Sequence, residues 1–484
     1  MNFFVNKSMG YGNSGVEHAQ FYRAERFREK NIPFKLIFTD RLPQLHQHMK
    51  EWHIAESEVI GIYDYFLSDD PDNYLQVGEQ HTHDFYEEVL WDTTDTQRLI
   101  RRQATGHYTE TVQRRKQYLK EKNVYRIEDD RVILDNGRHK ISWHYRNEGS
   151  RGKRATNIRV DNFRGKHYLF TTFEELLDFF FLELQRRFED NVYIIDRGSE
   201  NEETLIRMKQ QGIPLKIVDV VHAAHFVAWD AAHPLWNNYY QYMFDHFNDI
   251  NLIVVATQLQ REAMISQLTA IGMIDVSKKI IAIAVGGVSS PALITPKKWD
   301  GETIQFVTAS RLHPEKHIIH IIQAISQLRL QGMSATLAIY GAGSEEKQLI
   351  SYIASLNLSQ FIQLKGLSQN MIQDMQAYDV FVSASYSEGF GLTYIEAISN
   401  AMPIATYANL YGAQTLVRDG VNGHLATFGP KNTDEVANVK QLMDAMRRVC
   451  DHYDELSVGA AEVAKQFSNE IIADQWQKVI VKLL

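Results

Sequence analysis

The sequence predicts an α/β protein: two doubly wound, parallel-sheet units, with an antiparallel β-rich module inserted into the first. Three observations lead there. Short apolar runs alternate with helical stretches on both sides of a linker, the pattern of parallel strands joined by crossover helices. The linker, residues 291–300, contains Pro291 and Pro296, which discourage regular structure. Between residues 74 and 170 the texture changes to apolar–polar alternation. Turns such as Asp135-Asn136-Gly137 interrupt it, as in hairpins.

The elements follow in order. Residues 3–5 (Phe-Phe-Val) are a first strand, residues 18–30 a helix and residues 34–38 a second strand. Gly10, Gly12 and Gly15 between them match Gly-x-Gly-x-x-Gly. Only Asp40 stands where a dinucleotide fold needs a ribose-binding acid, so the glycine turn is read as lining a substrate cleft. In the module, alternating runs at 125–127, 131–134, 141–145, 158–160 and 167–170 read as hairpin strands. Its basic clusters are Arg98, Arg101 and Arg102, then Arg114, Arg115 and Lys116, then Arg151, Lys153 and Arg154. They read as solvated faces of a meander or as a docking surface. His81, His83 and Asp84 lack a further ligand at suitable spacing, so no metal site is expected.

The α/β texture resumes with an apolar helix at 173–188 and a strand at 192–195 ending in Asp196-Arg197. A strand at 215–221 ends in His222-Ala223-Ala224-His225, and strands at 252–257 and 280–285 follow. Past the linker, strand 304–310 runs into Arg311 and Lys316, and strand 335–340 into Gly341-Ala342-Gly343. Run 361–364 precedes Lys365, and strand 378–385 precedes Glu388. The domains expected are 1–73 with 171–295, the inserted module 74–170, a second unit 296–465, and a last helix 466–484 crossing back to the first.

Composition narrows the function classes. The 484 residues are 44% hydrophobic and 23% charged, as in an ordinary globular protein. A net charge of −9 and a pI near 6.1 argue against a general nucleic-acid binder. One cysteine, Cys450, excludes an intramolecular disulfide and a cysteine zinc cluster, and reads as a helix core residue. No signal peptide or membrane-spanning run is visible, so a cytoplasmic protein is expected.

In open α/β sheets, ligands sit beyond the carboxyl ends of the strands. That rule selects Arg311, Lys316, Gly341, Gly343, Lys365 and the stretch from Glu388 to Thr393. Two cations, two glycine turns and a helix start suit a diphosphate. Glu396 stands eight residues after Glu388, where a carboxylate can accept hydrogen bonds from vicinal hydroxyls. In the first unit the rule selects Gly15, Asp196-Arg197, and His222 or His225. Two facing clefts mean a site between the units.

Arg311-x4-Lys316, Gly341-Ala342-Gly343 and Glu388-x7-Glu396, in this order, resemble the retaining GT-B glycosyltransferases of family 4. The stretch Asn13-Ser14-Gly15-Val16-Glu17-His18-Ala19-Gln20, the inserted module and Val221-His222-Ala223-Ala224-His225-Phe226 narrow the resemblance. They look like the accessory-Sec serine-rich-adhesin glycosyltransferases of Gram-positive bacteria, whose close relatives glycosylate wall teichoic acid. The resemblance implies a UDP-sugar donor, UDP-GlcNAc or UDP-glucose, and neither metal nor cofactor. It implies that Arg311 and Lys316 neutralise the diphosphate, Glu396 holds the ribose and Glu388 the sugar hydroxyls. The backbone of Gly391, Leu392 and Thr393 would cap the distal phosphate, beside Gly341, Gly343 and Lys365. His225 or His222 would contact the donor sugar near its anomeric carbon, and Gly15 would let the first loop approach. The acceptor implied is serine or threonine of a serine-rich repeat adhesin, or a first sugar on it. A teichoic acid acceptor and a non-catalytic glycoprotein-binding subunit are the alternatives. A partner glycosyltransferase subunit, oligomers through the module and association with the inner membrane face are also implied; a nucleic-acid partner is not.

Overall fold

Strand Asn2–Asn6 is the pivot of the first sheet. All five residues are buried, and parallel neighbours flank it: Val192–Ile195 on one side and Phe34–Phe38 on the other. The computed structural model describes residues 1–10, 14–80, 86–91, 98–105, 108–147, 149, 152–429 and 434–484. Gly12, Asn13, His81, His83, Asp84 and Arg151 lie outside the described residues. The sheet has seven parallel strands, in the order Ile280–Ala282, Leu252–Val255, Lys216–Val221, Val192–Ile195, Asn2–Asn6, Phe34–Phe38, Val59–Gly61. Early chain fills one side of the pivot and later chain the other. The carboxyl ends at Asn6 and Asp196 therefore form a topological switch point, where such sheets bind ligands. Burial on both faces explains why these strands read as unbroken apolar runs. The run at 280–285 is shorter as a strand, Ile280–Ala282, because the chain then turns into the tightly packed Gly286 and Gly287.

The module is a seven-stranded antiparallel meander, from Tyr86–Trp91 to Lys166–Thr172, with spatial order equal to chain order. Its first strands, Tyr86–Trp91, Arg98–Thr105 and Tyr108–Leu119, were not legible as strands, because charge masks their alternation. The charges are matched across the ladder: Arg101 to Glu87 (2.7 Å), Arg114 to Asp129 (2.9 Å) and Arg115 to Asp130 (3.3 Å). Lys153 lies 3.7 Å from Glu128, and Arg154 2.7 Å from Glu174. The module shares its core with the first sheet. Phe163 packs on Tyr65 and Phe66 at ring distances of 5.4 and 5.0 Å, and Trp143 stacks on Tyr63 at 5.3 Å.

The second half holds a six-stranded parallel sheet, in the order Ile362–Gly366, Ala335–Tyr340, Ile304–Ala309, Val380–Ser383, Ile404–Tyr407, Gly423–Ala426. Residues 291–300 carry only a short turn, Pro291–Leu293. The helix Glu435–Asp451 buries Cys450, and burial pushes that thiol up to about 12. The last helix, Asn469–Leu483, packs on helix Gly15–Glu29: Trp476 lies 5.8 Å from the Phe27 ring, and Tyr22 Oη donates to Asn469 Oδ1 at 2.8 Å. Among the described residues, no helix is long and apolar enough to cross a membrane.

Candidate active site

The site is built around the turn that follows strand Val380–Ser383. There Ser387 and Glu388 pair in parallel with Leu410 and Tyr411, so the carboxylate is carried on a short ladder rather than a free loop. Lys316 ends the turn Pro314–Lys316 and donates its Nζ to Glu388 Oε1 at 2.6 Å, a charge-assisted bond in a partly buried setting. Arg311 is not brought to this pair. Its side chain is 69% exposed and its Nη2 bonds Glu315 Oε1 at 2.8 Å. Lys365 is exposed and donates to Gln363 Oε1 at 2.8 Å.

Gly341 and Gly343 serve close packing. A Cβ at Gly341, where φ is +134°, would stand 1.9 Å from the Ser310 carbonyl oxygen, and one at Gly343 2.3 Å from that of Leu312. The turn thus lies directly under the Arg311 segment. Gly389 does something the sequence did not disclose. A Cβ there would stand 2.2 Å from the carbonyl oxygen of His222, on the opposite half of the molecule. The bare glycine is in contact with the facing unit.

Helix Leu392–Ile398 begins at Gly391, at φ +86°, and is anchored by Tyr394, whose buried Oη bonds Ser383, Thr406 and Asn409. Leu392 lies 3.9 Å from the Cβ position of Gly15, so the starts of the helices Leu392–Ile398 and Gly15–Glu29 meet across the cleft. Thr393 is half-buried in the first turn. Glu396 points inward. Its Oε2 is buried without a hydrogen-bond partner among the described residues, and burial raises the carboxyl to about 7. A buried acid left unpaired is costly unless a ligand completes it.

On the facing half, helix Gly15–Glu29 opens with a capping box. Val16 N–H donates to Ser14 Oγ (3.3 Å) and Ser14 N–H to Glu17 Oε2 (2.7 Å). Beyond strand Lys216–Val221, His222 donates Nε2–H to Asp196 Oδ1 at 2.9 Å. Burial pushes the Asp196 carboxyl up, but the Arg23 guanidinium and His222 outweigh it and hold the carboxyl below its usual range. His225 is fully buried, with Nε2 2.7 Å from Gln267 Oε1, and burial lowers it to about 4. The structure thus brings together Lys316, Glu388, Gly391, Leu392, Gly15 and His222, and leaves Arg311 and Lys365 facing outward. Sequence reasoning missed Asn409 and Tyr411, although the strand-end rule, applied after Ile404–Tyr407, points at both. Among the described residues, no group of three His, Cys, Asp or Glu stands close enough to hold a metal ion.

Two parallel sheets facing a cleft, with this turn on one lip, make the fold GT-B, and residues 290–456 match the family glycosyl transferases group 1. The fold is the one that GT-B glycosyltransferases share. The chain is 27% identical to the UDP-N-acetylglucosamine–peptide N-acetylglucosaminyltransferase GtfA subunit of Streptococcus pneumoniae serotype 4, over 99% of both chains. The solved pneumococcal O-GlcNAc transferase GtfA, in complex with UDP and GlcNAc, has a TM-score of 0.78 at 23% identity, covering 100% of this chain and 98% of that one. A GtfA/B complex chain has a TM-score of 0.73 at 25% identity, covering 100% and 99%.

Proposed function

We propose that the chain transfers GlcNAc from UDP-GlcNAc to serine or threonine hydroxyls of a serine-rich protein, keeping the anomeric configuration and using no metal. The observation that carries this reading is the partly buried Lys316–Glu388 pair, with Glu396 Oε2 buried and without a partner among the described residues on the helix that follows, in a chain similar end to end to a UDP-GlcNAc–peptide transferase. Lys316, joined by Arg311 turning in from Glu315, takes the diphosphate charge as the nucleotide leaves. Glu396 accepts the ribose hydroxyls and Glu388 the sugar hydroxyls. His222, oriented by Asp196, is our choice over His225 for the contact near the anomeric carbon, because His225 is fully buried with its ring held by Tyr411 and Trp236. The acceptor hydroxyl attacks the face from which UDP departs, and the leaving phosphate takes its proton.

In this reading residues 296–465 hold the donor, and residues 1–73 with 171–295 present the acceptor. The chamber where the module meets the sheet, about 290 Å³ and lined by Lys7, Asp40, Arg41, Tyr63, Tyr145 and Glu174, lies on the acceptor's approach. The hairpin tip of the module exposes Tyr118, Val124, Tyr125 and Ile127, which suits docking of a partner subunit or a second copy. We place the reaction in the cytoplasm, at the inner face of the membrane. The cross-strand pairing of the module's arginines weighs against a polyphosphate acceptor, since those cations are already neutralised. The test offers radiolabelled UDP-GlcNAc or UDP-glucose with a serine-rich peptide or with polyribitol phosphate. Label is expected in the peptide from UDP-GlcNAc; label in the polymer alone overturns the reading.

Glu396 also sets a pH dependence. Hydroxyls donating to it favour its charged form, so the complex binds fewer protons than the free protein below about pH 7. UDP affinity is expected to rise with pH up to about 7 and then to level off, and Glu396→Gln should flatten the curve. The stability of the free protein runs the other way. The unfolded chain loses this proton near the ordinary 4.5 and the folded one near 7, so stability falls as pH rises between those values. Titration calorimetry with UDP across pH checks the first expectation; an unchanged slope in Glu396→Gln removes Glu396 from the ribose site.

A further inference from the structure

We infer that Tyr411 and His225 are a positioning pair: their ring stack across the cleft sets the register of the two halves and so places Glu388 opposite His222. Tyr411 is 1% exposed and sits at φ +70°, ψ −68°, a conformation that bulky residues rarely adopt and that persists only where the surroundings enforce it. Its backbone is the ladder partner of Glu388, so the two residues move as one unit. Asn409 stiffens that unit, donating to Ser385 O at 3.0 Å and to Tyr394 Oη at 2.9 Å, and accepting from Ala413 N–H at 2.9 Å.

The Tyr411 ring reaches the opposite half and lies on the His225 imidazole, with centroids 5.9 Å apart and planes 22° apart. His225 is held from its own side by Trp236 (6.2 Å, 27°), Phe244 (6.3 Å) and the Gln267 bond. The turn between His222 and His225 is fixed by Tyr240, whose Oη accepts the N–H of His222 and of Ala223, each at 3.0 Å. That turn is gripped at both ends: His222 meets Gly389 and His225 meets Tyr411. Tyr411 and His225 therefore act through Glu388 and His222, by aromatic contact and not by proton chemistry.

The proposal rests on the glycosyl-transfer reading of the cleft, and two readouts separate the two. With UDP-GlcNAc as donor, His225→Asn and Tyr411→Gly, the latter keeping the backbone turn, are expected to lower kcat about 30-fold, as the docked arrangement of the halves becomes a minor population. His225→Phe and Tyr411→Phe keep the stack and should stay within about threefold of the parent. UDP affinity should be unchanged in all four, which also certifies folding. Small-angle scattering with UDP bound should show a larger radius of gyration for His225→Asn and Tyr411→Gly, and not for the Phe variants. The pair is overturned if His225→Phe is as impaired as His225→Asn, if Tyr411→Gly turns over like the parent, or if UDP affinity falls with turnover. If the parent itself transfers no sugar, the functional reading fails, and the scattering comparison still decides the pair.

Discussion

Lys316→Ala is expected to cut sugar transfer by about 10²–10³-fold, the usual loss when a preorganised group facing developing charge is removed. The cation is in place before any ligand arrives, held 2.6 Å from Glu388 in a partly buried setting. Two losses coincide in the variant. The departing diphosphate loses its nearest counter-charge, and Glu388 becomes an unpaired carboxylate beside it, so an anion meets an anion. Arg311 is a different case. It must first leave Glu315, but an exposed pair of this kind is worth about 0–1 kcal/mol, so turning inward costs little. Arg311 supports the site and Lys316 defines it. Kinetics on Lys316→Ala and Glu388→Gln, with UDP affinity by calorimetry and melting temperature alongside, check this. A loss under about tenfold in Lys316→Ala, with folding intact, would mean the pair is structural.

The parallel sheets were legible, apart from the three-residue edge strand Val59–Gly61, because their strands are buried on both faces and leave no room for polar alternation; Val380–Ser383 and Asn2–Asn6 are examples. The first module strands were not. Their buried face mixes Gln103 and Glu110 with Tyr108 and Val112, and Arg101, Arg114 and Arg115 pair with cross-strand acids on the other positions, so the apolar alternation is broken in the sequence. In the site, the residues carried by each strand end could be read one element at a time, which yielded Arg311, Lys316, Lys365, Glu388 and the two histidines, and Glu396 came from its spacing after Glu388. Contacts between the halves could not. Tyr411 adopts a positive φ without being glycine, and nothing local in Leu410-Tyr411-Gly412 announces it. The partner of Gly389 is His222, and only the docked halves show that pairing. The same holds for the choice between the histidines: His222 and His225 look alike in sequence, and only the folded chain gives one Asp196 as partner and buries the other fully beside Gln267.

Gly389→Ala is expected to be as damaging as loss of a charged group, although it adds one methyl and removes no chemistry. The new Cβ would lie 2.2 Å from His222 O and 3.1 Å from Ala223 Cα, both backbone atoms, so no side chain can swing aside. The loop cannot retreat either. Behind it Gly412 is already so close that its own Cβ would stand 2.7 Å from Phe390 O and 2.8 Å from Glu388 Cβ. The overlap can be relieved only by parting the two halves by roughly 1 Å, and a misplacement of that size costs about 10²-fold in rate. The groups assigned to the nucleotide, Lys316, Glu388 and Glu396, all belong to one half, so UDP should bind Gly389→Ala nearly as well as the parent. The expected signature is therefore a fall in kcat with donor KM and UDP affinity preserved, and a melting temperature close to the parent's, because neither core is touched. Normal turnover in Gly389→Ala would mean that chemistry proceeds with the halves apart, and the contact at His222 would then be a resting state rather than the working one.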